Sequence, residues 1–186
     1  NYFATAYLTT NSLRPYVLVG DMNEDIYRPR TYEQGAIQTL TSSPTGLRLT
    51  TPRSPVTADD RTWSIQNASL TIRFDYVLPC NLLYYSTSDG RVFRSDLVSP
   101  PAPPLLASDS ATAADHLPVM LTFRNPYNAP MAIRSLTVSN GVATLHWTTI
   151  RGERYRVESS VNLTAWQSAV ANLVATTNEL AVQIPA

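Results

Sequence analysis

Five residues have the types and neighbours to do chemistry together: Asp21, Asn23, Asp75, Asp115 and His116. Carboxylates hold hard cations through oxygen. An imidazole takes up and releases protons near neutral pH. Each of the five adjoins an apolar, strand-like run. Asp21 follows Val17-Leu18-Val19-Gly20, Asp75 precedes Tyr76-Val77-Leu78, and Asp115-His116 precedes Leu117-Pro118-Val119 and Met120-Leu121-Thr122-Phe123. On extended backbone, residues two apart point the same way. Asp21 and Asn23 are therefore expected to face one point from the end of a buried strand. Gly20 is expected to let the backbone turn where a side chain would crowd the site. If the first strand runs antiparallel to the other two, the acids and His116 gather at one sheet edge, a rim able to grip a cation and a phosphate. For residues 17–24 alone, a strand followed by an Asp/Asn turn is the common alternative.

The elements that must position these residues sit in a chain of 186 residues, 44% hydrophobic and 15% charged. That is long enough for one medium domain, or for one domain plus a small module. All 14 basic residues are Arg and they match the acids in number, so no net field draws the chain to nucleic acid or membrane. Cys80 is the single cysteine; no internal disulfide is possible, and it reads as a small core residue. No run of about 18 apolar residues offers a membrane span. No signal peptide opens the chain, and Asn1 is not a natural start, so an upstream part is expected.

Pro15 breaks any helix in the first sixteen residues, with Leu8 and Leu13 as its packed tail. Residues 25–30 form a polar loop beside the proposed site, with Arg28 and Arg30 read as solvated in preference to anion-binding. Ala36, Ile37 and Leu40 have helical spacing, and residues 47–50 read as a short strand. Asp59-Asp60 reads as a solvated turn rather than a metal pair. Residues 63–65 and 68–78 read as strands. Residues 82–93 read as a hairpin turning at Ser88-Asp89-Gly90. The proline-rich stretch 99–113 is expected to hold no regular element.

After a linker at 126–130 the pattern changes. Residues 131–186 alternate apolar and polar, with a strong hairpin signal at Asn140-Gly141 and a turn at Arg151-Gly152. This reads as an all-β module of roughly five strands. An immunoglobulin-like sandwich has about seven, so the module is expected to be incomplete. Trp147, Tyr155 and Trp166 read as core rather than as sugar platforms, and His146 as a surface residue. Asn67-Ala68-Ser69 and Asn162-Leu163-Thr164 spell glycosylation triplets, read as chance matches.

The trio Gly20-Asp21-Met22-Asn23, Arg73-Phe74-Asp75-Tyr76 and Asp115-His116-Leu117-Pro118 resembles the endonuclease/exonuclease/phosphatase superfamily, the deoxyribonuclease I-like phosphoesterases. The resemblance covers residues 1–125 and corresponds to the C-terminal half of that domain. It implies an α/β (α+β) four-layer sandwich with mostly antiparallel sheets. It also implies a Mg2+-dependent (or Mn2+- or Ca2+-dependent) phosphodiesterase of nuclease type acting on a phosphate ester, including nucleic acid. By resemblance, Asp21 positions or activates the attacking water, and Asn23 hydrogen-bonds the phosphate or holds Asp21. Asp75 fixes the tautomer of His116, His116 contacts the phosphate or moves a proton, and Asp115 helps bind the cation. Ala114 replaces the family's usual serine. The family's metal-binding Glu, an early Asn and a second His lie upstream of these motifs, so the resemblance implies an inactive piece of an active parent.

The last module resembles a β-sandwich domain, fibronectin- or immunoglobulin-like, of secreted bacterial enzymes. The carrying residues are Leu145-His146-Trp147, Gly152, Tyr155 to Ser160 and Leu163-Thr164-Ala165-Trp166. It implies a secreted or cell-surface location, with binding to a cell surface or polysaccharide. Two other functions stay open: a phosphomonoesterase acting on a lipid or sugar phosphate, and a non-catalytic secreted adhesion protein. No cysteine or histidine cluster suits zinc.

Overall fold

A computed structural model describes residues 3–7, 14–27, 35–42, 45–63, 70–100 and 103–185. Leu8, Leu13, Arg28, Arg30 and the triplet at 67–69 lie outside the described residues. The chain divides into two compact units. The first takes Asn1–Cys80 and Thr87–Arg124; the second takes Asn81–Ser86 and Asn125–Ala186.

In the first unit, β1 (Val17–Asp21) pairs antiparallel with β2 (Asp75–Pro79), in a register that sets Val19 opposite Val77 and Asp21 opposite Asp75. β2 is the buried partner: Tyr76, Val77, Leu78 and Pro79 are all enclosed. Its inward residues Tyr76 and Leu78 form one core with Ile37 and Leu47, against which Tyr16, Leu18, Met22, Ile26, Leu40 and Leu49 pack. β1 is half-exposed, with Val17 and Val19 open to solvent. It is thus not the buried strand that its apolar run suggests: only alternate residues face the core. Helix α1 (Ala36–Thr41) delivers Ile37 to that core.

β3 (Thr87–Val92) pairs antiparallel with β4 (Val119–Phe123) in a second two-stranded sheet. Val92 joins Leu70 and Leu117 in a separate small core. Asp89 and Gly90, expected in a turn, lie inside β3, where the register slips between Thr87 and Asp89. Residues 82–85, expected as strand, belong to helix α2 (Asn81–Tyr85). Within the proline-rich stretch, Asp109–Thr112 forms one helical turn, α3. Leu47 makes an isolated bridge to Cys80 rather than opening a strand.

The expected four-layer α/β sandwich is not what the chain forms. Strand occupies 39% of it and helix 15%, and the sheets of the described residues have two or three strands. The described α-helices have four to six residues. Six residues of helix extend only about 9 Å, too little to roof a sheet, so the described residues form no helical layer. The helical spacing at Ala36, Ile37 and Leu40 is real but stops after six residues.

A buried polar knot fixes the loop after β1. Arg73 is 1% exposed. Its guanidinium donates to the Thr50 carbonyl at 2.6 Å, lies 3.5 Å from Asp60 and sits 4.4 Å from the Tyr76 ring centroid. Asp60 also accepts the Tyr27 hydroxyl at 2.6 Å. It is therefore no solvated turn residue: burial of Arg73 calls for a carboxylate beside it. The Tyr76 hydroxyl, its pKa pushed up to about 12 mainly by burial, stays protonated. It lies 3.0 Å from the Glu24 carbonyl and accepts the Ile26 N–H at 3.0 Å.

In the second unit, β5 (Ile133–Ser139), β6 (Val142–Thr148) and β9 (Glu179–Pro185) form one antiparallel sheet, ordered β5-β6-β9. β7 (Arg154–Ser159) and β8 (Gln167–Val174) form another. Asn140 and Gly141 both have positive φ, 51° and 72°, as a two-residue hairpin turn of this hand requires. Trp147 is buried, with its ring edge-on to Tyr155 at 6.1 Å. Trp166, read as core, is instead exposed. Gly152 has φ +90°, and a Cβ there would stand 2.8 Å from backbone atoms of Asn81 and Leu82. That close approach, and Arg151 stacked 4.0 Å over Tyr85, seat α2 on the Arg151-Gly152 turn.

Leu78 is fully buried and Val19 is not. Leu78→Ala is expected to destabilise the first unit by about 2–5 kcal/mol, the range for a buried leucine. Val19→Ala is expected to cost no more than about 0.5 kcal/mol. Denaturant unfolding of both variants checks this, and equal losses would contradict the assigned strand faces.

Candidate active site

Asp21 ends β1 and Asp75 begins β2, and the register places them directly opposite each other. Opposed residues on an antiparallel pair project from the same face. His116 reaches the pair from another direction. Its backbone bridges Trp63, which also bridges Ile72, and the next amide, Leu117 N–H, donates to the Thr62 carbonyl at 2.9 Å. The His116 approach is therefore set by a short cross-connection through Thr62-Trp63. β4, which His116 precedes, lies in a different sheet from β1 and β2, so the single shared sheet edge expected from the motifs is not how the groups meet.

The side chains nevertheless converge. Ligating atoms of Asp21, Asp75 and His116 all lie within 4.8 Å of one another. His116 Nδ1 is 2.8 Å from Asp75 Oδ2. The same oxygen accepts the Thr62 hydroxyl at 2.5 Å. Thr62 is fully buried, and its oxygen in turn accepts the N–H groups of Phe74 at 3.1 Å and Asp75 at 3.2 Å. One donor and two acceptors are all that a hydroxyl has, and every one is used. Asp75 Oδ2 already accepts the Thr62 hydroxyl, and a carboxylate has only lone pairs to offer, so the Nδ1 contact is that of a carboxylate accepting an imidazole N–H. The Nε2 edge is left for chemistry.

Asn23 does not continue the strand. Its φ is 50°, so the two-residue alternation expected of extended backbone does not apply. It meets Asp21 through a tight turn instead. Its N–H donates to Asp21 Oδ1 at 2.8 Å, and its Nδ2 donates to Oδ2 at 3.2 Å. Gly20 has φ +150°, which side chains rarely adopt, yet no atom lies within 4 Å of where a Cβ would stand. Its role is backbone conformation, not the relief of crowding.

Asp115 is placed differently from the other four. Its Oδ2 accepts the Trp63 indole N–H at 3.1 Å, and it is not among the three groups that converge. It is still close enough for its charge to act on His116. Phe74 stacks on the His116 ring at 6.2 Å and lies tilted against Trp63 at 5.7 Å, walling one side. Sequence reading misses Thr62 and the indole contact. Both arise from the loop 59–63, where no motif spelling marks a partner for an acid 13 or 52 residues later.

Partial burial by itself lowers the pKa of His116. The Asp75 hydrogen bond and the negative charges of Asp75, Asp21 and Asp115 raise it, and they prevail, so it stands above its ordinary 6.5. The neighbouring acids thus favour the charged form of the His116 ring. The donor types suit a hard divalent cation: carboxylate oxygens, with no thiolate in reach. Cys80 is buried in the strand-end region away from the cluster's ligating groups.

Comparison of the chain with known protein families, curated proteins and solved structures returns no match.

An NMR pH titration is expected to give a His116 midpoint above 6.5, and Asp75→Asn is expected to bring it down. The raised pKa makes this contact stabilising, fully so below about pH 6.5, with the contribution lost as pH rises through the folded-state value. Thr62→Val is expected to cost about 1–3 kcal/mol, because it strips a donor from Asp75 and leaves two amides without their acceptor. A His116 midpoint that does not move in Asp75→Asn would contradict the pairing.

Proposed function

We propose that this chain carries part of the active site of a metal-dependent phosphodiester hydrolase of the deoxyribonuclease I-like type. One observation carries the reading: an exposed carboxylate, Asp21, faces across a strand pair to an Asp75–His116 hydrogen-bonded dyad. The comparisons add no support, so the reading rests on this geometry and on the motif resemblance.

The roles follow from the geometry. Asp75 accepts the Nδ1 proton of His116, which fixes the tautomer and favours the charged ring. The imidazolium then presents Nε2–H to an anionic phosphate oxygen and can release its proton to a leaving group. Asp21 is oriented by two donors of Asn23, the backbone N–H and the side-chain amide. It keeps lone pairs with which to take a proton from an incoming water. Of the converging groups, Asp21 would be the main ligand of Mg2+, Mn2+ or Ca2+, while Asp115 stands outside them with its Oδ2 on the Trp63 indole. Such an ion, when bound, supplies neutralisation of charge on the phosphoryl oxygens. Asp75 is a weaker ligand because its Oδ2 is already occupied by Thr62 and His116.

The test is Mg2+-dependent hydrolysis of DNA and of a simple phosphomonoester by the full-length protein that includes these 186 residues, with and without chelator. The expected result is diester cleavage that chelator abolishes. Asp21→Asn and His116→Ala should each lower it at least about a hundredfold, the usual scale for a proton-transfer or oxyanion group. Cleavage indifferent to both substitutions, or no cleavage at all, would sink the proposal. Cleavage of the monoester alone would transfer the site to phosphomonoester chemistry.

A further inference from the structure

The loop between β7 and β8, residues 160–166, exposes three large apolar side chains within six residues. Val161 is fully exposed, Leu163 is 77% exposed and Trp166 is 53% exposed. Water-facing apolar residues scattered singly need no explanation, whereas a cluster does. Leu163 is also held at φ 61°, a left-handed conformation that side chains other than Gly, Asn and Asp rarely take. The chain therefore spends backbone strain to display a leucine to solvent.

The loop's polar backbone is turned inward on itself. Ser160 Oγ accepts the N–H groups of Asn162 at 3.3 Å and Leu163 at 2.8 Å. Asn162 Oδ1 accepts those of Thr164 at 3.0 Å and Ala165 at 2.9 Å. Four consecutive amides are thus satisfied by the loop's own side chains. That is what a backbone needs if it is to leave water for a medium without hydrogen-bonding partners. Charge is absent as well: from Ser159 to Asn178 there is no Asp, Glu, Arg, Lys or His. Nothing on the loop has to be stripped of hydration at an ionic cost.

We infer that this loop inserts into the interfacial region of a lipid bilayer and holds the second unit on a membrane surface without spanning it. A tryptophan beside aliphatic residues is the composition favoured at the headgroup boundary. A sugar ligand fits less well. Its hydroxyls need hydrogen-bonding neighbours, but Val161 and Leu163 offer none and Asn162 Oδ1 is already committed. Without basic residues on the loop, the association is apolar rather than electrostatic. This inference stands independently of the phosphodiesterase reading.

The experiment is flotation of the whole chain with phosphatidylcholine vesicles, with and without added anionic lipid. A second arm raises salt to about 1 M, where charge attraction is screened within about 3 Å. The expected result is binding to the neutral vesicles, unaffected by salt or anionic lipid. Leu163→Ala should weaken it about tenfold, the scale of removing one buried leucine's apolar surface. Val161→Asp with Leu163→Asp should abolish it. Brominated acyl chains should quench the unsubstituted chain's fluorescence, and that quenching should vanish in Trp166→Phe. No flotation on neutral vesicles would overturn the inference. So would flotation confined to anionic vesicles at low salt, or quenching that persists in Trp166→Phe. Capture by polysaccharide or by another protein, without vesicle binding, would also overturn it and assign the loop to that partner.

Discussion

Two carboxylates face each other across one strand pair, and the first unit is arranged around that fact. Like charges directly opposite on adjacent strands repel and cost stability. The register of β1 on β2 nevertheless places Asp21 opposite Asp75. Each acid is relieved by its own donors. Asn23 supplies two to Asp21, and Thr62 and His116 supply one each to Asp75. The relief reaches each acid from a different direction, which is why a turn, a loop cross-connection and the approach to β4 must all end at one place. A local repulsion held in a fixed frame is also what a cation or a phosphate-bound proton can exploit.

The frame is carried by β2 and by what surrounds it. Tyr76 and Leu78 face the core, so Asp75 sits at the mouth of a strand that cannot shift without opening that core. Burial of Arg73 behind it, matched by Asp60 and capped by the Tyr76 ring, ties the strand to the loop 50–60. The Tyr76 hydroxyl then fixes the backbone of Glu24 and Ile26, just after the turn through Asn23. An arginine so close to the site invites an anion-binding role. Its enclosure and its three partners show a structural one.

How much of this is legible in the chain itself varies by residue. The meeting of Asp21 and Asp75 is readable because each borders a short apolar run and the two runs pair as strands, whereas His116 arrives through the Thr62-Trp63 cross-connection, which no motif marks. The hairpin at Asn140-Gly141 is readable because positive φ at two successive positions selects those residue types. The layers are not readable. The four-layer expectation rests on motif resemblance, whereas the described α-helices form only single turns or little more, and the helical spacing at Ala36, Ile37 and Leu40 stops after six residues. Thr62 and Asp60 are invisible for a different reason: their partners lie 12 to 33 residues away, and a loop acid or hydroxyl carries no periodicity to reveal a distant contact. Ser88-Asp89-Gly90 misleads because turn-forming residues also suit a slipped register inside a strand.

The dependence of the whole site on one shared proton makes the protonation state of His116 the most direct check. Long-range proton–nitrogen NMR spectra of the neutral ring, recorded above its midpoint, distinguish which nitrogen keeps hydrogen. If Asp75 accepts from Nδ1, as the 2.8 Å contact requires, the neutral ring keeps its proton on Nδ1 and leaves Nε2 bare. A neutral ring protonated on Nε2 in the unsubstituted protein would contradict the account at its centre.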